Sequence, residues 1–132
     1  VKNLTVLKAK RYGVYTCRAE TTLKEAARMM VGEDISSLVV VDDAERLLGL
    51  ITRVDLMRVR YERDDWQDQT VGSAMTREVV TVAPQDTLET VMTLLLERHI
   101  HRVVVVREEK SGRHPVAVLS AADILYHMAR ES

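Results

Sequence analysis

A single cysteine, Cys17, leaves the chain without an internal disulfide and fits a reducing compartment. Beside the apolar Val14 and Tyr15, it reads as a small buried hydrophobe rather than a reactive thiol. Long apolar runs are also missing. The longest, such as Leu38 to Val41 and Val103 to Val106, fall far short of the roughly 20 residues that span a bilayer. The first residues, VKNLTVLKAKRYG, are cationic but lack the apolar block and small-residue cleavage site of a signal peptide. Nor does one charge sign dominate. The 19 Lys and Arg against 20 Asp and Glu leave a net charge of −1, which gives no global attraction to nucleic acid or an anionic membrane. A cytoplasmic chain with no membrane partner and no nucleic-acid partner is therefore expected. Hydrophobic residues at 46% and charged residues at 30% describe a soluble globular domain rather than a disordered segment. At 132 residues there is room for one compact domain or for two small repeats sharing a core.

A repeat is what the chain does have. An offset of 65 places Val14-Tyr15-Thr16-Cys17 on Val79-Val80-Thr81-Val82, Thr22-Leu23 on Thr87-Leu88, Ile35 on Ile100, and Val39 to Val41 on Val104 to Val106. Extra residues around Glu109 to His114 raise the offset to 68. Leu50-Ile51-Thr52 then meets Val118-Leu119-Ser120, and Asp55-Leu56 meets Asp123-Ile124. Two copies are too few for a solenoid, so a pseudo-symmetric pair is expected, with repeats at 1–68 (including an N-terminal segment and linker) and 69–132.

Each copy reads as strand, helix, strand, strand, helix. Thr22 and Glu25 have capping-box spacing, and Leu23, Ala26, Ala27 and Met30 share the helical face that follows. In the second copy Asp86 or Thr87 caps a helix carrying Leu88, Val91, Met92 and Leu95, and Pro84 suits an extended approach. The β-branched runs 38–41 and 103–106 do not alternate, as befits strands covered on both faces. Asp42 to Glu45 forms a polar turn into a strand over Leu47 to Ile51. The second hairpin is expected to have a longer loop, Glu108 to His114. Closing helices are expected over about Arg53–Arg63 and Ala121–Arg130, and Glu62 to Thr70 reads as a solvated linker.

Both hairpin-to-helix junctions carry a hydroxyl followed three residues later by an acid: Thr52-Arg53-Val54-Asp55 and Ser120-Ala121-Ala122-Asp123. Helix capping is the commoner use of that pattern, and the acid also suits the helix dipole. The N–H groups of a helix start equally attract phosphate, and a carboxylate there can accept from both hydroxyls of a ribose. The two uses are compatible.

With these junctions the chain resembles the CBS-domain family from about Leu7 to Met128. The resemblance rests on Gly49-Leu50-Ile51-Thr52-Arg53-Val54-Asp55-Leu56, on Val71-Gly72-Ser73-Ala74-Met75-Thr76 and on the Thr81, Pro84, Thr87-Leu88 stretch. It rests equally on His99 to Val106 and Ala117 to Ile124. It implies an α/β (α+β) fold of two βαββα repeats packed as a pseudo-twofold pair, with clefts between them that take AMP, ADP or ATP; S-adenosylmethionine and NAD are the alternatives. No further cofactor is required. By the same resemblance Thr52/Asp55 and Ser120/Asp123 hold ribose and nearby phosphate oxygens. The segments at Thr16-Cys17 and Thr81-Val82 meet the adenine edge, and Ile35, Ser37, Ile100, His101 and Arg102 line the base and phosphate path. The resemblance further implies a homodimer and a regulated partner protein.

The copies differ. His101-Arg102 offers cationic donors where the first copy has Ser36-Ser37, and an Arg fork can engage phosphate in a bidentate manner. The first copy keeps Gly49 where the second has Ala117. One principal cleft is therefore expected, the one containing Arg102, Ser120 and Asp123. His99 and His101 alternate on one face, but no Cys or carboxylate set at ligand spacing joins them, so no metal site is assigned. Ser120 is explained by its cap, and no catalytic group is assigned. The basic run Arg58 to Arg63 is offset by Asp64-Asp65. The expected function is a non-enzymatic regulatory module; the rivals are a structural dimerisation module with empty clefts and a nucleic-acid-associated regulator.

Overall fold

The computed structural model describes residues 1–131. In chain order the elements are α1 (Val6–Ala9), β1 (Thr16–Cys17), α2 (Leu23–Glu33), β2 (Ser37–Val41), β3 (Leu47–Thr52), α3 (Arg53–Glu62), a 3-10 turn (Trp66–Asp68), α4 (Val71–Ala74), β4 (Thr81–Val82), α5 (Leu88–Arg98), β5 (Arg102–Glu109), β6 (Gly112–Ser120) and α6 (Ala121–Met128). They form two compact units, one from Tyr15 to Val79 and the other from Val1–Val14 together with the chain from Val80 onward. Each contains one βαββα repeat around a three-stranded sheet.

In the unit from Tyr15 to Val79, β1 runs parallel to β2 and β2 antiparallel to β3, with Ser37 opposite Thr52. Leu38 to Val41 are buried, and Leu38 and Val40 pack into the core of this unit. Thr22 caps α2, its Oγ1 accepting from the Glu25 N–H at 3.2 Å. That helix turns Leu23, Ala26 and Met30 inward and ends at Asp34 in the left-handed conformation, φ 53°. The fully buried Leu23, Leu38 and Ile51 lie at the centre of this core. Burial of such a side chain contributes about 1.5–3 kcal/mol. The stretch Glu62 to Thr70 is more than a solvated linker. Trp66 is half-buried against this core, because the short turn after α3 folds an aromatic ring back onto it.

The lead-in to the second repeat completes this same unit. Val71 N–H donates to Thr21 O at 2.8 Å and Gly72 N–H to Ala19 O at 2.8 Å, while Leu50 and Thr76 exchange backbone bonds at 2.9 Å each way.

The other unit repeats the plan: β4 is parallel to β5, β5 antiparallel to β6, and Arg102 stands opposite Ser120. Thr87, not Asp86, is the N-cap of α5; the Asp86 carboxylate instead accepts from Ala83 N–H at 2.8 Å. The expected loop Glu108 to His114 is strand on both sides. Pairing continues to Glu109 opposite Gly112, so only Lys110 and Ser111 turn, and Gly112 takes φ 128°. Here the N-terminal segment plays the part of the lead-in. Val6 N–H donates to Asp86 O at 2.7 Å, Leu7 N–H to Pro84 O at 2.9 Å, and Leu88 N–H to Leu4 O at 2.9 Å. Val6 and Ala9 are thereby fully buried with Leu88, Val103 and Leu119.

Candidate functional site

The strand-to-helix junctions place the hydroxyl–carboxylate pairs. At the first, the Asp55 Oδ2 accepts from the Thr52 N–H at 2.9 Å and the Thr52 hydroxyl at 3.0 Å, and the Thr52 Oγ1 accepts from Asp55 N–H at 3.2 Å. This reciprocal cap satisfies donors that the helix itself leaves open. Ser37 lies opposite Thr52 across the hairpin, and Ser36 O receives the Arg53 N–H at 3.0 Å, so the 35–38 segment abuts the helix start. Ile35 packs against the core. Thr16 and Cys17 stand two strands away from Thr52, paired with Val39 and Val40. Burial pushes the Cys17 thiol up to about 11, so it is neutral at ordinary pH.

The second junction has the same frame. The Asp123 Oδ2 accepts from Ser120 N–H at 2.8 Å and from its hydroxyl at 3.2 Å, and Ala121 N–H donates to His101 O at 3.2 Å. Arg102, His101, Ser120 and Asp123 are thus gathered at one end of the β5–β6 hairpin, with Ile100 packed on the core beside them. Thr81 and Val82, on β4, pair with Val104 and Val105 further along β5. They line a recess of about 530 Å³ that runs on to Asp86 and Glu108, away from Asp123.

The free oxygens of the two acids are held differently. At Asp55 the Oδ1 receives Arg58 Nη1 at 3.2 Å, an exposed partner one turn along the same helix. At Asp123 the Oδ1 receives Arg11 Nε at 2.8 Å, from a residue 112 positions away. The Arg11 side chain is 26% exposed, its guanidinium carbon lying 4.6 Å from the Tyr126 ring centroid and 5.2 Å from that of Tyr12. The hydrogen bond to Asp123, more than any other influence, holds the Arg11 guanidinium above its ordinary pKa. Asp123 itself is 7% exposed, the only buried charged residue among those described. Sequence reasoning missed Arg11 and Tyr126. The offset of 65 sets Arg11 against Thr76, which shares none of its chemistry, and no local spacing links it to Asp123.

Among the described residues no three His, Cys, Asp or Glu side chains converge as a metal set. His99 forms the left-handed end of α5, its N–H donating to Leu95 O. No described helix is long and apolar enough to cross a membrane.

Two βαββα repeats, each with a hydroxyl–carboxylate pair at the start of its closing helix, define a duplicated α+β fold. The CBS domain family model matches residues 9–62 and 71–130, and the chain belongs to that family. It is 33% identical to inosine-5′-monophosphate dehydrogenase of Halobacterium salinarum over 126 residues, which is 95% of this chain and 24% of that protein. It is 29% identical to 5′-AMP-activated protein kinase subunit gamma-3 of Bos taurus, covering 86% of this chain and 25% of that one. The chain thus spans about a quarter of each of these curated relatives. In three dimensions it is similar to the CBS domain pair of protein MJ0100 in complex with 5′-methylthioadenosine and S-adenosyl-L-methionine. There the TM-score is 0.86 at 23% identity, over 97% of this chain and 98% of that one.

Proposed function

We propose that the chain is a regulatory module that binds an adenine nucleotide of the AMP, ADP or ATP class and passes its occupancy to a partner protein. The observation that carries this reading is the junction at α6. A buried carboxylate stands at a helix start, with Arg102 directly across the hairpin from Ser120. A carboxylate so placed can accept from a ribose diol, while the Arg fork and the helix start suit phosphate oxygens. In this reading Ile100, His101, Arg102, Ser120 and Asp123 form the principal nucleotide site, with Thr81 and Val82 toward the base. Thr16, Cys17, Ile35, Ser37, Thr52 and Asp55 are the weaker counterpart, since Ser37 brings no charge. The gamma-3 relative carries AMP regulation in its name, and the MJ0100 pair holds adenosine-type ligands, which agrees in ligand class. Regulation further requires that the ligand bind one arrangement of the module better than another.

The test is a thermal-shift and calorimetric panel of AMP, ADP, ATP, S-adenosylmethionine and NAD. A ligand at a hundred times its Kd stabilises the folded state by about 2.7 kcal/mol. Asp123→Ala should abolish the shift while costing no more than a cap and its partners, about 0.5–2 kcal/mol. No shift with any of the five leaves the dimerisation role ahead. Binding that survives Asp123→Ala removes this carboxylate from the site.

A further inference from the structure

The proposed ribose carboxylate already has a resident cation, and the fold holds it there from both sides. Behind Arg11, α1 is anchored by the buried Val6 and Ala9, and the Ala9 carbonyl is in hydrogen-bond contact with His127 Nε2 at 2.7 Å. In front, the guanidinium rests on Tyr126, a residue of α6, whose other neighbour is Arg130 at 4.3 Å from the ring centroid. The contrast with the first repeat is direct. There Asp55 meets Arg58, whose side chain is 58% exposed against 26% for Arg11. Arg58 is a solvated partner from the next turn that a ligand can displace at little cost. Arg11 comes from outside α6, and its guanidinium lies on the Tyr12 and Tyr126 rings.

Resting on the nucleotide reading, we infer that Arg11 is a specificity-determining residue that makes the Asp123 site select ligands carrying a 5′-phosphate over neutral nucleosides and over cationic sulfonium ligands. One of its five N–H donors lies on the Asp123 Oδ1, and the Oδ2 is committed to Ser120. A ribose diol approaching Asp123 must therefore share or displace the guanidinium. A neutral nucleoside offers Arg11 nothing in return. A nucleotide does, because its phosphate lies only a few bonds from the diol and can take the planar donors that Asp123 gives up. S-adenosylmethionine carries a positive sulfonium directly on the ribose C5′, which Arg11 repels, and has no phosphate to take its donors.

The experiment compares AMP, adenosine and S-adenosylmethionine by calorimetry on wild type, Arg11→Met and Arg11→Lys. Wild type should bind AMP at least about tenfold more tightly than adenosine, as one charge-assisted interaction warrants. In Arg11→Met, AMP should weaken by about tenfold, whereas adenosine and S-adenosylmethionine should hold or tighten, since their competitor is gone. Arg11→Lys, which keeps the charge without the fork, should fall between. Retained adenosine binding shows that Arg11→Met is folded; should it not fold, the Lys variant carries the comparison. An AMP-to-adenosine ratio unchanged in both variants overturns the role of Arg11 and leaves the nucleotide reading standing. Failure of wild type to bind these three, and ADP, ATP and NAD as well, overturns both.

Discussion

Gly49→Ala adds one methyl group, and the structure sets what it meets. A Cβ at Gly49 lies 2.6 Å from the Thr76 carbonyl oxygen, 2.9 Å from Met75 Sδ and 3.2 Å from Met75 Cγ. The methionine can swing aside; the carbonyl is fixed, since Leu50 and Thr76 exchange two backbone hydrogen bonds at 2.9 Å. The strand position itself accepts a methyl. Ala117 occupies it in the second repeat, fully buried in the core. The need for glycine comes from the chain that crosses it. Overpacking of this kind costs about 1–3 kcal/mol. Loss of backbone freedom in the unfolded chain returns about 0.4–1 kcal/mol. The net destabilisation is about 1–2 kcal/mol, a drop in Tm of roughly 4–8 °C at about 4 °C per kcal/mol. Gly32 is the control. It is exposed in α2 with nothing within 4 Å of its Cβ position, so Gly32→Ala should gain about 0.5–1 kcal/mol. Urea melts followed by circular dichroism should show the two midpoints moving in opposite directions with m unchanged. A Gly49→Ala protein as stable as wild type would refute the steric argument.

Two more outcomes follow from burial. Cys17 has its thiol raised by desolvation from 9.0 to about 11. A folded-state pKa above the unfolded value means that its stabilisation is complete below pH 9 and is lost as pH rises toward 11. Melts of wild type and Cys17→Ala across that range should converge as pH rises, and thiol labelling at neutral pH should track unfolding; rapid labelling of native protein contradicts the buried placement. On α3, Val54, Met57 and Tyr61 are 48%, 66% and 91% exposed at positions that share a helical face. A homodimer formed through that face would sediment at twice the 15.0 kDa chain, and Met57→Glu would return it to monomer. A monomeric wild type, or an unaltered dimer in the variant, removes α3 from the interface.

The repeat was legible because its signals are local. Non-alternating β-branched runs, the Thr22 and Thr87 caps and the inward faces of α2 and α5 depend on residues within a turn or strand of one another. The hairpin after Val106 was harder. Charged residues from Arg107 to Arg113 look like a loop, yet backbone pairing alone extends the strands through them. Trp66 likewise lies in a polar stretch whose one large ring decides its packing. The junction pairs Thr52/Asp55 and Ser120/Asp123 were visible from spacing. The Arg11 contact was not, because it joins residues 112 apart that no periodicity relates.

The lead-in segments also set an order of assembly during synthesis. Every residue of the unit from Tyr15 to Val79 has left the ribosome once Val79 has, so this unit can close early. The segment Val1–Val14 is made before that unit yet docks after it, because its partners at Pro84, Asp86, Leu88 and Asp123 come far behind it. Until then the side chains of Val6 and Ala9 have no core to enter, and the unit they belong to must bring together segments more than 65 residues apart in sequence. A chaperone acting on the nascent chain would find exposed apolar sites in the segment that precedes the folded unit, not only in the newest residues.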